Sequence, residues 1–309
     1  MPVTNGIGRG SQTAAKEDGF AKYMRLHSTI VKSVWANGMS KWGRIPGPYY
    51  YIDTHCGDGD NGDGVLGSPV IFLETMSLQR MDYRAIFIDR VGVNISALAE
   101  RVGDDPRVSL CCGDNRRVID EVLRSVPGKA LGMLYMDPNG EPDVSLLERV
   151  AARLTKLDIM VRVSATAIKR NRCAGNHHWR LADIPEKVLK ESWQIREYDP
   201  SDKAQWTFLI GSNYKTRDWK REGFHHIGTP EGRRLMLKGD CTREELDAIN
   251  RPQLAMYESV EERSGGVCER CGLAPATDPH HLRYGPDPDP EKILHVCHPC
   301  HCELEGKEQ

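Results

Sequence analysis

The chain of 309 residues lacks any run of about 18 apolar residues, the length that a membrane-spanning helix needs. Its N-terminal stretch is rich in Gly, Ser and Thr and has no apolar segment of the kind that a secretory signal carries. A net charge of −2 and a pI of about 6.6 give no overall excess of either sign, so contacts to nucleic acid would have to use local basic patches. These absences predict a globular, cytoplasmic protein without membrane contact.

A secreted disulfide framework is also absent, although the chain has ten cysteines. Four of them form two C-x-x-C pairs that are separated by 25 residues, which is typical of a cytosolic zinc site. Each C-x-x-C turn presents two thiolates to one point, and few apolar residues lie nearby to supply a core. We therefore predict a structural Zn²⁺ ion bound by Cys268, Cys271, Cys297 and Cys300.

Apolar segments of strand length alternate with segments of helical period along most of the chain. Strands are predicted at 49–52, 83–88, 108–112, 131–136, 158–163 and 205–212, and a helix over 20–42 precedes them. This alternation predicts an α/β, Rossmann-like, doubly wound sheet of about seven strands. The predicted organisation is a disordered tail (1–16), the sheet domain (17–238), a linker (239–262) and a small C-terminal ββα zinc domain (263–309).

Four of the first five strands end in acidic or glycine-rich turns: Asp53 to Gly59, Asp89, Gly113-Asp114 and Asp137-Pro138. In such sheets ligands bind outside the carboxyl ends of the strands, so these turns predict one common site. The D-x-x-x-G-x-G turn differs from the dinucleotide fingerprint G-x-G-x-x-G, and its acidic side chains would repel a pyrophosphate. After this turn, Ser68 is predicted as the N-cap of a helix and Pro69 as its first residue.

On these motifs, residues of about 20–235 resemble a class I S-adenosylmethionine-dependent methyltransferase. The turn at 51–59, Gly67-Ser68-Pro69 and the stretch at 136–140 are similar to the three-Cys-motif partner proteins. The resemblance implies that S-adenosylmethionine binds with its methionine part at the turn, its ribose at Asp89 and its adenine amino group at Asp114. The implied cofactor-binding residues in the turn are Asp53, Cys56, Gly57 and Gly59.

The stretch from Asp137 to Gly140 lies where amino-methyltransferases carry D-P-P-Y or N-P-P-F. By that resemblance Asp137 and Pro138 would be catalytic and accept hydrogen bonds from a target amine. The aromatic residue that stacks on the base is missing, and Tyr135 and Trp179 are candidates to replace it. A segment rich in Arg, Asn and His follows the fifth strand at 165–185, which favours DNA or RNA as the partner.

Between the two cysteine pairs, Asp278 to Tyr284 and the later His301 resemble the HNH family. The resemblance implies that His281 is a general base, and that Mg²⁺ binds near His280, His281 and His301. The family's middle asparagine would fall at Lys292, whose ammonium group cannot accept the hydrogen bond that orients the base.

The sequence thus predicts an S-adenosylmethionine-dependent methyltransferase that acts on nucleic acid, with a zinc module that binds substrate. The alternatives are an HNH-type metal-dependent nuclease with a cofactor-binding front domain and a non-catalytic nucleic-acid-binding protein. No oligomeric state is predicted.

Overall fold

A computed structural model describes residues 13–36, 47–62, 64–138, 140–173, 180–198, 205–214, 219–241, 243–282 and 289–304. The chain divides into two compact units, Met1–Asp240 and Cys241–Gln309. Each unit has hydrophobic clusters of its own. Among the described residues, no helix is long and apolar enough to cross a membrane.

An eight-stranded sheet, one strand more than the predicted number of about seven, forms the centre of the first unit. Its strands are β1 (Tyr49–Asp53), β2 (Tyr83–Asp89), β3 (Val108–Cys112), β4 (Gly132–Met136), β5 (Leu157–Ser164), β6 (Ser192–Arg196), β7 (Trp206–Ser212) and β8 (Phe224–His226). They lie in the order β3-β2-β1-β4-β5-β7-β6-β8. The first five are parallel, and the contacts of β7 with β5 and β6 and of β8 with β6 are antiparallel. The predicted α/β doubly wound sheet is confirmed.

Helices cover both faces of this sheet. They are α1 (Thr13–Ala36), α2 (Ser68–Gln79), α3 (Gly92–Val102), α4 (Asn115–Ser125), α5 (Val144–Arg153), α6 (Ala165–Cys173), α7 (Asp183–Lys187) and α8 (Pro230–Asp240). Helix α1 begins inside the segment 1–16 that was predicted to be a disordered tail. Residues 1–12 and 37–46 lie outside the described part of the chain.

Successive side chains of β1 enter two different cores, as the two-residue period of a strand requires. Tyr49 and Tyr51 belong to the cluster with α1 and α2, whereas Ile52 belongs to the cluster with α4 and α5. Phe72 of α2 stacks on Tyr51 with ring centroids 4.2 Å apart, a contact that contributes about 1 kcal/mol beyond its buried area. Both faces of β1 are therefore anchored where the glycine turn begins.

Two strands, β8 and β6, lie outside the six predicted segments, and β6 is the longer of the two. Only Trp193 and Ile195 alternate there with polar residues, so its apolar pattern is shorter than those that were recognised. Pairing with β7 and β8 on its two sides buries even the polar Gln194. Tertiary pairing, rather than local hydrophobicity, thus defines this strand.

The second unit contains a long helix, a two-stranded antiparallel sheet and a short helix: α9 (Arg243–Ser264), β9 (Asp278–His281), β10 (Ile293–Val296) and α10 (His298–Leu304). The predicted ββα arrangement is present. The predicted linker at 239–262 is instead the end of α8 and most of α9. Met256 and Val260, one helical turn apart, pack on Ile293, so a narrow apolar stripe fixes a helix whose composition is mostly polar.

Candidate functional site

The order of the strands reverses between β1 and β4, because β1 pairs with β2 on one side and with β4 on the other. Connections leaving two such strands go to opposite faces and open a crevice at their carboxyl ends, where open α/β sheets bind ligands. The turn at 54–59 and Asp137 both lie at this edge. The fold therefore brings the predicted site segments together.

Asp53 ends β1 with its side chain fully buried. Its carboxylate accepts hydrogen bonds from the Ser68 hydroxyl at 2.7 Å, the Tyr51 hydroxyl at 3.1 Å and the His55 amide at 3.0 Å. Burial raises the pKa of Asp53 to about 7, although these hydrogen bonds act in the opposite direction. The Asp53 carboxylate therefore lies inside the protein, where it stabilises the turn through the hydrogen bond from the His55 amide.

The predicted N-cap role of Ser68 is wrong. Gly67 is the N-cap of α2 and no side chain caps this helix, because the Ser68 hydroxyl is directed at Asp53. Pro69 is therefore the second residue of the helix, not the first residue that was predicted. The hydrogen bond from the Ser68 hydroxyl to the Asp53 carboxylate is stronger than a capping hydrogen bond with a backbone amide, because hydrogen bonds to ionised groups are the stronger kind.

Gly57 and Gly59 have φ values of 61° and 77°, so the turn uses the left-handed conformation that glycine favours. A Cβ atom on Gly59 would lie 3.0 Å from Leu98 and 3.1 Å from Val70, which shows how closely the turn packs. Cys56 is buried next to Gly57, and burial raises the pKa of its thiol well above the usual range. Cys56 thus presents a neutral thiol to its surroundings, and its amide donates to the Ile88 carbonyl.

Asp89 connects the end of β2 to the same turn. One carboxylate oxygen accepts the Gly57 amide at 3.0 Å and the other accepts the Val91 amide at 2.7 Å. A carboxylate has about four acceptor positions, so two are left for a ligand. Asp114, at the end of the next strand, is exposed and caps α4 by accepting the Arg116 amide at 2.9 Å.

Asp137 follows β4 and has a side-chain exposure of 12%. It accepts hydrogen bonds from Arg162 of β5 at 2.8 Å and from the Tyr135 hydroxyl at 3.4 Å. Burial by itself would lower the pKa of Arg162, but the Asp137 carboxylate outweighs burial, so the pKa of Arg162 lies above its ordinary value. The predicted amine acceptor is therefore already bound to a guanidinium group, a pairing that the sequence did not indicate.

Tyr135 does not supply the missing aromatic platform. Its ring is fully buried and lies 4.4 Å from the ring of Phe20, so neither face is open to a base. Trp179 and Asn139 fall outside the described residues. Pro138, which follows Asp137, is partly exposed.

His55 lies in the turn between Thr54 and Cys56, where the sequence pattern assigned it no role. Its Nε2 atom is 3.0 Å from the Asn115 side-chain nitrogen, and its Nδ1 atom is 2.9 Å from the Thr54 hydroxyl. Asn115 is 60 residues away at the start of α4, so only the fold reveals this contact. Burial lowers the pKa of His55, while the Asp137 and Asp89 carboxylates oppose that shift.

In the second unit, the four predicted zinc ligands converge. The sulfur atoms of Cys268, Cys271, Cys297 and Cys300 all lie within 4.8 Å of one another. The Cys271 and Cys297 sulfurs are 3.9 Å apart, close to the separation of about 3.8 Å that tetrahedral Zn–S bonds of about 2.3 Å require. The donor set and its spacing fit Zn²⁺.

A second group of potential metal ligands differs from the predicted one. Ligand atoms of Asp278, His298 and His301 lie within 4.8 Å of one another, with His298 Nδ1 at 3.1 Å from the Asp278 carboxylate. The ring of His280 contacts that of His301 at 5.3 Å. His281 lies on β9 opposite Ile293, and its side chain is outside the described part of the chain.

Lys292 stands where the resemblance stated above predicted an asparagine, and the fold also places this residue. Lys292 forms an ion pair with Asp289 at 2.6 Å, three residues earlier along the chain. A basic side chain that binds a neighbouring carboxylate does not replace an asparagine that orients a histidine. His298, which sequence reasoning missed, was marked only by its position inside the second C-x-x-C pair.

No protein-family model matches the chain, and no curated protein sequence matches it either. Among solved structures, the protein LPL1258 from Legionella pneumophila is similar at 12% identity with a TM-score of 0.42, over 71% of this chain and 91% of that one. The plantazolicin methyltransferase BamL, solved with S-adenosylhomocysteine, is similar at 9% identity and a TM-score of 0.40, over 66% and 87%. A probable spermidine synthase from Corynebacterium glutamicum has 12% identity and a TM-score of 0.38, over 69% and 68%. At these values, the comparisons assign the chain to no family.

Proposed function

We propose that the first unit is an S-adenosylmethionine-dependent methyltransferase. The observation that carries this proposal is the set of acidic side chains at the carboxyl ends of β1, β2 and β4, where the strand order reverses. Asp89 ends one of the two strands that flank β1 and Asp137 follows the other, and the turn with Gly57 and Gly59 follows β1 itself. A cofactor that carries positively charged sulfonium and ammonium groups suits these acidic side chains better than an anionic cofactor does.

The start of α2 supports this choice over a phosphate-containing cofactor. A phosphate cradle needs free backbone amides at the N-terminus of the helix that follows the turn. Here Pro69 has no amide hydrogen, and the amide of Gly67 donates to the Gly59 carbonyl at 3.0 Å. The Ser68 hydroxyl is also occupied, so this helix start offers little to a pyrophosphate.

Within the proposal, the turn at 53–59 holds the methionine part of the cofactor, Asp89 the ribose hydroxyls and Asp114 the adenine amino group. When bound, the cofactor supplies an electrophilic methyl group. Asp137 and the Pro138 carbonyl accept hydrogen bonds from the target amine and orient its lone pair. Arg162 keeps the Asp137 carboxylate in a fixed position while the amine approaches.

Calorimetric titration with S-adenosylmethionine tests this assignment. Loss of a charge-assisted hydrogen bond costs about 2 kcal/mol, so Asp89→Asn should weaken binding about thirtyfold. The matched control is Asp120→Asn, an exposed residue of α4 that pairs with Arg149. If the wild-type protein binds no S-adenosylmethionine, the proposal is wrong.

We further propose that the substrate is DNA or RNA. Support comes from α6, which follows β5 at the same edge of the sheet and carries Lys169 and Arg170. On that helix, Asn171 donates a hydrogen bond to Glu141, close to Asp137 along the chain. Transfer of a labelled methyl group to separate pools of DNA, RNA and protein tests the substrate class. Labelling of protein alone would contradict this part of the proposal.

For the second unit, we propose a structural Zn²⁺ ion bound by the four cysteines and a role in binding substrate. The apolar clusters of this unit contain only a few buried residues, so the metal would contribute much of its folding energy. A Cys268→Ser and Cys297→Ser double variant should lose zinc in elemental analysis. A Cys241→Ser variant, which lies outside the cluster, should keep it.

A second candidate function is metal-dependent nucleic-acid cleavage of the HNH type. It is favoured by one observation, the convergence of Asp278, His298 and His301, whose imidazole and carboxylate groups suit a divalent cation. Incubation of plasmid with Mg²⁺ or Mn²⁺ tests this function, with His301→Ala, His281→Ala and the remote control His226→Ala. Without nicking by the wild-type protein, this candidate is excluded.

A further inference from the structure

His55 connects three parts of the crevice. Its imidazole contacts Asn115 at the start of α4 and Thr54 in the turn after β1. The Thr54 hydroxyl in turn lies 3.2 Å from the carbonyl oxygen of Tyr135, two residues before Asp137. One side chain therefore links the cofactor turn to the wall at α4 and to the strand that carries the proposed amine acceptor.

The hydrogen-bond directions define one protonation state of this imidazole. The Asn115 side-chain nitrogen only donates, so Nε2 of His55 must accept. The Thr54 hydroxyl gives its single hydrogen to the Tyr135 carbonyl and therefore accepts from Nδ1 of His55. The chain of hydrogen bonds is complete with a neutral imidazole that carries its proton on Nδ1.

A second proton on His55 would disrupt this chain. It would face the Asn115 amine group, and two donors would then oppose each other. Rotation of the Asn115 amide would offer its oxygen to His55, but it would remove the hydrogen bond that Asn115 donates to the Thr54 carbonyl at 3.3 Å. Protonation of His55 thus removes either its hydrogen bond with Asn115 or the hydrogen bond from Asn115 to the Thr54 carbonyl.

Charged groups on several elements act on the protonation of His55. Burial lowers its pKa and the Arg90 guanidinium adds to this shift, whereas the carboxylates of Asp137 after β4, Asp89 at the end of β2 and Asp143 before α5 oppose it. Asp89 and Asp137 are also the carboxylates proposed to face the cofactor and the target amine. A proton on His55 and a cationic ligand would therefore compete for the same negative charge.

We propose, on the basis of the methyltransferase function proposed above, that His55 is a positioning residue that makes the crevice selective for the charge of its ligand. Neutral His55 holds the turn, α4 and β4 in the arrangement that binds the cationic cofactor. Protonated His55 breaks this arrangement and repels the cation. S-adenosylhomocysteine lacks the sulfonium charge, so its binding should respond less to the same proton.

The test is calorimetric titration of the full-length protein with S-adenosylmethionine and with S-adenosylhomocysteine from pH 7.5 down to pH 5. Below the pKa of His55, affinity for S-adenosylmethionine should fall by up to about tenfold per pH unit, and affinity for S-adenosylhomocysteine by less. In His55→Gln the amide oxygen can still accept from Asn115, but it does not titrate in this range. The result expected of this variant is the loss of most of the pH dependence of S-adenosylmethionine binding between pH 7.5 and pH 5.

Two controls isolate the effect of His55. Titration of Asp53 is common to wild type and His55→Gln, so it cancels when their pH profiles are compared. His226→Gln, on the edge strand β8, should keep the wild-type profile. Thermal unfolding shows whether each variant is folded. Proton release on binding, measured in buffers of different ionisation enthalpy between pH 7.5 and pH 5, should be smaller for His55→Gln than for wild type, and this comparison also removes the contribution of Asp53.

The outcomes separate this inference from the proposed function. Binding by wild type with the same pH profile and the same proton release in His55→Gln would overturn the role of His55 and leave the methyltransferase proposal standing. Absence of S-adenosylmethionine binding at every pH would overturn both. A pH profile that is steeper for S-adenosylmethionine than for S-adenosylhomocysteine, and flattened in His55→Gln, supports the inference.

Discussion

Substitution of Asp53 by asparagine should change how the stability of the first unit depends on pH. Asp53 is fully buried, and burial raises its pKa from an ordinary value of 3.8 to about 7. Between these two values the folded protein holds a proton at Asp53 that the unfolded chain has lost. The contribution of this group to stability is therefore complete below pH 3.8 and disappears as the pH rises through 7.

The magnitude follows from the difference in bound protons. Each pH unit in this interval changes the free energy of unfolding by about 1.4 kcal/mol. Between pH 5 and pH 8, the wild-type protein should lose about 3 kcal/mol relative to Asp53→Asn, which has no carboxyl group to titrate. Only the change of this difference with pH is predicted, because the amide also alters the hydrogen bonds with Ser68, Tyr51 and His55.

Urea unfolding followed by tryptophan fluorescence can measure this effect. All six tryptophans precede residue 241, so the signal reports on the first unit and not on the zinc module. Asp105→Asn is the matched control, since the Arg107 side chain holds the pKa of Asp105 well below its usual range. Asp105 is then ionised in the folded and in the unfolded protein from pH 5 to pH 8. The unfolding free energy of Asp105→Asn, plotted against pH, should therefore run parallel to that of wild type. A parallel curve for Asp53→Asn as well would refute the reasoning.

Two further predictions concern the packing at the two ends of β1. His27→Ala should destabilise the first unit by about 3 kcal/mol in urea unfolding, because it leaves Asp158 at 2.9 Å and Tyr49 at 2.8 Å without their buried partner. A loss below about 1 kcal/mol would contradict that estimate. Gly59→Ala should cost about 1 to 3 kcal/mol and weaken S-adenosylmethionine binding, since its Cβ atom meets neighbouring side chains. Gly64→Ala has a similar φ with open space around it, so equal effects of the two variants would rule out the packing argument.

Some helices and strands of this protein are marked by local patterns in the sequence, and others are not. The sequence predicts the strands from β1 to β5 because each is a compact apolar run, and four of the five are followed by an acidic or glycine-rich turn. It does not indicate β6, whose apolar pattern is short, and it predicts a linker in place of most of α9 because the composition there is polar. In both cases a partner that is distant in the chain supplies the burial that makes the element stable.

The candidate site shows the same division. The four cysteines were identified from spacing alone, because two C-x-x-C turns carry most of the geometry of a zinc site. The set of Asp278, His298 and His301 was not identified, since it depends on how α10 packs against β9. The pairing of Asp137 with Arg162 is of this second kind too, because it joins two neighbouring strands.

By itself, the sequence determined the alternation of strands and helices, the glycine turn after β1 and the two cysteine pairs. These features depend on periodicity, on the conformational freedom of glycine and on short spacings, all of which act within a few residues. Only the tertiary structure decided that Asp53 is directed inward while Asp89 holds the turn from the next strand. It also decided that His55 meets Asn115, because contacts between residues 60 positions apart exist only after the sheet has formed.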